Sequence, residues 1–235
     1  MNKFHFKLYF GVLFIGLLVA FLAWGVISHN QNRKLTTGSN LPTPSVLQQA
    51  ASQAPKATST PGLANPAPRT KLFSPLDKAL ERVTKKPFGI KVSPQNSPVN
   101  PERFAGYHTG VDFETFPDEQ DADVLVSIIC EGSILEKRFA SGYGGVVVQS
   151  CRLDNQDITV IYGHLNLASI SVKLGEKLSA GSRLGLLGRG FSTETDGERK
   201  HLHLGIHKGS SIILAGYVKT APELSNWLDI REYLK

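Results

Sequence analysis

The sequence predicts an all-β domain, mostly antiparallel, preceded by an N-terminal transmembrane helix and a disordered linker. Three observations carry this. From about Pro87 onward, short strand-like runs alternate with Gly, Asn and Asp turn signals. Sustained helical periodicity is absent until the last dozen residues, where Trp227, Ile230 and Leu234 could share a helical face. Near the start, Leu8 to Ile27 run for twenty residues without a charge.

Taken in order, the uncharged run is the first element. At about 1.5 Å per residue it spans roughly 30 Å as a helix, the thickness of a bilayer's hydrocarbon core. Tyr9 and Trp24 fall near its ends, where amphipathic rings favour the interface. A signal peptide cleaved near Val26 and Ser28 is the rival reading, though its apolar region is usually shorter. Lys3 and Lys7 before the span nearly balance Arg33 and Lys34 after it. The short N-terminus and long polar remainder therefore decide the orientation: residues 1–28 are a cytoplasmic N-terminus plus anchor, with the rest outside the cytoplasm. Residues 29–71, rich in Pro, Ser, Thr, Ala, Gln and Asn, cannot bury enough apolar surface to offset chain entropy. They read as a tether with a reach on the order of 100 Å. Residues 72–87 read as a short amphipathic helix: Ser74-Pro75 starts it, Leu76, Leu80 and Val83 line one face, and Lys86-Pro87 ends it.

The last element, residues 88–235, is the domain. Strand-like runs occur at Val124–Ile129, Gly145–Ser150, Ile158–Tyr162 and Leu184–Leu187. Between Val172 and Gly185, glycines punctuate short apolar segments, as a compact curved sheet requires. Cys130 and Cys151 each end an apolar run. Two readings stay open for them: a bridge between neighbouring strands in an oxidising compartment, or two buried thiols.

Composition narrows the function classes. Apolar residues make up 41% of the 235 and charged residues 20%, enough for a folded core and unlike a wholly disordered chain. The net charge of +6 divides unevenly: residues 1–86 hold 11 Lys/Arg against 2 Asp/Glu, and residues 87–235 hold 15 against 18. The basicity belongs to the tail. No basic domain face is implied, and no nucleic-acid partner is expected.

Of the seven histidines, five lie in the domain. In Gly106-Tyr-His108-Thr-Gly110-Val-Asp112, even spacing in an extended chain points His108 and Asp112 to one side. In His201-Leu-His203-Leu-Gly205-Ile-His207, alternation is strict: three imidazoles face one way, and Leu202, Leu204 and Ile206 face a core. Tyr162-Gly163-His164-Leu165 ends an apolar run. Two neutral imidazoles and a carboxylate are a known ligand set for catalytic zinc. His108, Asp112 and His203 supply that set for one Zn2+ ion, which lowers the pKa of water towards about 7 and polarises a carbonyl. His164 and His201 remain to exchange protons or stabilise a developing oxyanion. A lone histidine is more often a satisfied core or surface group; the joint occurrence carries the signal. His207 is read as a rim residue.

These motifs, in this order, resemble the lysostaphin-like (LytM-type) zinc endopeptidases of bacterial cell walls, and the likeness runs from about Phe88 to the C-terminus. It implies a lysostaphin-like, duplicated hybrid motif-like fold. His108, Asp112 and His203 are then the zinc ligands, with His164 and His201 as catalytic histidines. The implied activity is cleavage of peptide bonds in peptidoglycan cross-links or stem peptides. Two departures stand out. The short Gly- or Pro-containing turn before His-x-His is replaced by the longer, charged Ser192–Lys200, and Leu204 replaces an aromatic residue.

The expectation is a membrane-anchored zinc metalloendopeptidase with peptidoglycan peptides as substrate, the membrane as a contact through its N-terminal helix, and other cell-wall proteins as possible partners. The alternative is a non-catalytic LytM-type regulator that binds and activates another cell-wall hydrolase. Such a protein is expected to lose zinc ligands, and all five positions are intact here.

Overall fold

β-Branched runs that are apolar on both faces, such as Val146–Val148 and Ile158–Ile161, are buried throughout and form the middle of the largest sheet. The structure, a computed structural model, describes residues 70–234. The predicted transmembrane helix and all but the end of the predicted linker lie outside the described residues. Among the described residues, no helix is long and apolar enough to cross a membrane.

The strands are β1 (Lys91–Val92), β2 (Gly106–His108), β3 (Gly110–Glu114), β4 (Leu125–Ser127), β5 (Gly132–Ala140), β6 (Gly144–Leu153), β7 (Gln156–Gly163), β8 (Leu165–Asn166), β9 (Lys177–Leu178), β10 (Arg183–Leu187), β11 (His201–Lys208), β12 (Tyr217–Val218) and β13 (Trp227–Leu228). Every pairing between them is antiparallel. The largest sheet has the order β13-β11-β7-β6-β5-β9, with β3 also paired to β11. Two three-stranded sheets, β1-β2-β12 and β4-β10-β8, flank it in the pairing scheme. The all-β, antiparallel expectation holds, and each predicted run falls within or across a strand.

β11 positions the site. Its Leu202, Leu204 and Ile206 enter the main core with Val111, Phe113, Val160 and Tyr162. Fully burying each such side chain stabilises by about 1.5–3 kcal/mol, so slipping the strand by one residue would forfeit several of these at once. The opposite face is not simply an imidazole-lined surface. Val146, Val148 and Ile161 form a second cluster there with Ala140, Tyr143 and Trp227.

Two helical expectations differ from what the chain forms. Over residues 72–87 only a 3-10 turn appears, Ala79–Arg82, with Lys78 in the left-handed region before it. Ser74 Oγ donates to Leu76 O rather than capping a helix. Leu76 is buried while Leu80 is half exposed, so the supposed apolar face does not exist as a unit. Leu72, Leu76 and Ala79 instead reach the core singly. At the C-terminus, β13 separates the 3-10 segments Ala221–Asn226 and Ile230–Glu232. Trp227 packs in the second cluster and Ile230 and Leu234 in the first, so they share no face.

Cys130 and Cys151 form a disulfide with Cα atoms 6.1 Å apart. Of the two readings, the bridge is the one found, but it does not join adjacent strands. It ties the lead-in to β5 to the far part of β6.

Candidate metal centre and active-site cleft

The register between β3 and β11 sets His203 opposite Asp112, and His201 opposite Glu114. Directly opposite residues place their side chains on the same face of a sheet. β2 leads into β3, bringing His108 alongside. His108 Nε2 then lies 3.0 Å from His203 Nδ1 and 3.3 Å from Asp112 Oδ1, and His203 Nδ1 lies 3.1 Å from the same oxygen. All three side chains are buried. Gly110 makes this approach possible: a Cβ there would stand 2.8 Å from the His203 ring and 2.7 Å from Leu204 O.

The donor set fits zinc. Tetrahedral ligands held about 2.0–2.1 Å from an ion stand about 3.3 Å from one another, close to the 3.0–3.3 Å triangle found here. His108 Nδ1 lies 3.2 Å from Pro87 O. Only an N–H can serve a carbonyl, so Nε2 keeps its lone pair for the metal side. Burial lowers the His203 pKa to about 4, so that ring is neutral at pH 7, as ligation requires. Burial opposes ionisation of Asp112. The coulombic pull and hydrogen bonds of His201 and His108 outweigh it and hold the carboxyl well below its usual range.

His164 and His201 stand next to this triangle, with ring centroids 4.3 Å apart. Both present the same nitrogen to the cleft. His164 Nδ1 faces Thr195 O at 3.2 Å, and His201 Nδ1 faces Arg199 O at 2.8 Å. Each Nδ1–H thus donates to a backbone carbonyl and leaves Nε2 as the second ring nitrogen, that of His201 lying 3.3 Å from Asp112 Oδ2. His164 has a φ of 62°, left-handed for a residue that is not glycine, and its own N–H and C=O are held by Tyr143 O and Gly188 N. Backbone held this way concentrates at functional sites. Burial, then the neighbouring His201 and His203, push the His164 pKa well below its ordinary value.

The five predicted residues thus come together. His108 is fully buried, and the other four line an open cleft of about 250 Å³. His207 does not line it; the ring packs edge-on against Trp227, centroids 4.9 Å apart. Sequence reasoning missed four contributors. Lys86, read as a helix terminator, is a buried cation 2.5 Å from Glu102 and donates to the Tyr217 hydroxyl at 3.0 Å in the cleft wall. Tyr143 supplies another wall, its hydroxyl buried without a partner. Arg199 joins Asp112 and Glu114. Carrying the β11 alternation two residues back from His201 would have marked Arg199; no comparable signal marks Lys86, Tyr143 or Tyr217.

Residues 106–214 match Peptidase family M23. Among solved structures, the chain is similar to the catalytic domain of the antimicrobial peptidase lysostaphin from Staphylococcus simulans. That likeness has 23% identity and a TM-score of 0.45, over 66% of this chain and 95% of that one. It is also similar to LytU (22% identity, TM-score 0.40, 65% of this chain and 90% of that one). A third similarity is to a zinc-containing peptidase from Vibrio cholerae (22% identity, TM-score 0.39), covering 60% of this chain but only 37% of that one. No curated protein matches. The segment that matches Peptidase family M23 encloses all five site residues.

Proposed function

We propose that this protein is a membrane-anchored zinc metalloendopeptidase that hydrolyses peptide bonds in peptidoglycan cross-links or stem peptides. The observation that carries the reading is the convergence of His108 Nε2, Asp112 Oδ1 and His203 Nδ1 within 3.0–3.3 Å of one another, beside two histidines whose Nδ1 atoms are held by backbone carbonyls. Zinc held by these three ligands supplies Lewis-acid polarisation of a carbonyl and acidification of water.

The chain's own groups supply the rest. As a water oxygen adds to the scissile carbonyl carbon, the imidazole Nε2 of His164 or His201 accepts the proton released. A proton then passes to the amide nitrogen as the C–N bond breaks, giving a carboxylate and a new amine. His164 is suited to acceptance because burial keeps it unprotonated at neutral pH.

Anchoring and export rest on the uncharged run Leu8–Ile27 and on the Cys130–Cys151 bridge, a feature of oxidising compartments. The test is release of new amino termini from purified peptidoglycan, with and without a strong chelator. Zinc-dependent release supports the enzyme. Zinc binding without release favours the non-catalytic regulator.

A further inference from the structure

Asp112 offers only one oxygen, Oδ1, to the ligand triangle. The other, Oδ2, accepts from Arg199 Nη2 at 2.8 Å. Arg199 is itself fixed by Glu114: Nε stands 3.0 and 2.9 Å from the two carboxylate oxygens, and Nη2 bonds Oε1 as well. The arrangement follows from the strand pattern. Asp112 and Glu114 are two apart on β3 and share a face, and Arg199 precedes His201 by two on the approach to β11. The guanidinium therefore lies across both carboxylates. The three side chains are only 13%, 3% and 10% exposed, so this is not the screened surface pair that contributes little. Lysine, a point charge without a fork, cannot hold both carboxylates in this way.

We propose that Arg199, held by Glu114, is a positioning residue for the metal: it pins Asp112 Oδ2 so that Oδ1 alone faces the ligand triangle. The inference rests on the zinc reading of the site and goes beyond it by assigning a residue outside the ligand set. The same residue acts a second time through its backbone, since Arg199 O accepts from His201 Nδ1. One position on the approach loop thereby orients a metal ligand and a proton-transferring histidine together.

Charge and positioning pull in opposite directions here. A lone guanidinium beside the ligands would repel a cation, so removing it alone confounds the two effects. The test is therefore the double variant Arg199→Met/Glu114→Gln in the full chain, which removes one charge of each sign. Zinc affinity is measured by competition with a chromophoric chelator, and circular dichroism reports folding. Positioning predicts about 10–100-fold weaker zinc binding in the double variant. It predicts a smaller loss in Arg199→Lys, which keeps the charge but not the fork. Zinc affinity equal to wild type in a folded double variant would overturn the proposal. Should the double variant not fold, Arg199→Lys decides: wild-type zinc affinity there overturns the proposal, and weaker binding supports it. If the wild-type chain binds no zinc, the zinc reading fails instead, and the two failures are told apart.

Discussion

β11 and the loop that feeds it contribute to the same site by different means. The strand contributes side chains: His201 and His203 project to the cleft because a pleated chain alternates, while Leu202 and Leu204 hold the register from below. The loop contributes mainly backbone. Thr195 O and Arg199 O accept the Nδ1–H of His164 and His201, and Thr195 Oγ1 braces the loop by donating to Glu198 O at 2.7 Å. Lys200 Nζ anchors its end on the carbonyls of Glu119, Gln120 and Ala122. The strand determines which groups are present, and the loop determines which nitrogen of each imidazole is held by backbone.

Removing strand-borne ligands is the largest break available. His108→Ala, Asp112→Ala and His203→Ala each delete one of the three proposed ligands, and the purified variants are expected to lose zinc by elemental analysis. Full zinc occupancy in His203→Ala would reject the assignment. His164→Ala and His201→Ala should keep zinc and lose about 10²–10⁴-fold in rate, the usual contribution of a positioned acid or base. Loss of zinc from His164→Ala would move that residue from the proton-transfer pair into the ligand set.

Away from the cleft, the bridge between Cys130 and Cys151 closes a loop with a sequence separation of 21. Replacing both with serine should cost about 3 kcal/mol of stability by the loop-entropy account, read as a shift in the denaturation midpoint. Zinc content should not change. Zinc loss there would mean that β5 and β6 support the site more directly than their pairing suggests.

The convergence of His108, Asp112 and His203 was legible because its signal is local: His-x-x-x-Asp and His-x-His are short, extended, and fixed by a period of two. The loop's role was not. A backbone carbonyl carries no sequence signature, so neither Thr195 nor Arg199 O could be read as setting a tautomer. The buried Lys86–Glu102 pair was hidden for another reason. Its partners are 16 positions apart, and burial of a lysine is decided by tertiary packing. The helix expected over residues 72–87 failed in a similar way, since apolar spacing in a short run does not distinguish a helix face from residues that enter the core singly.

Acid titration sharpens the comparison with a smaller effect. In the metal-free protein, His203 has a folded pKa of about 4, against a reference of 6.5, and that of His164 is also lowered, both chiefly by burial. The unfolded chain then binds more protons below pH 6.5, so stability falls as the pH drops. Each such histidine contributes a slope of about 1.4 kcal/mol per pH unit. For His203 that window runs from 6.5 down to about 4. Urea midpoints across this range check it, and His164→Gln should flatten the slope. An unchanged slope would mean that His164 is not buried neutral.

The proposed function requires that the His108–Asp112–His203 triangle hold zinc and that this zinc be needed to cut peptide bonds. The most direct measurement follows new amino termini released from purified peptidoglycan by the zinc-loaded chain, then after stripping with a strong chelator at neutral pH, then after adding zinc back. Release is expected to stop on stripping and to return with zinc. Release that persists in the stripped protein would contradict the proposed function.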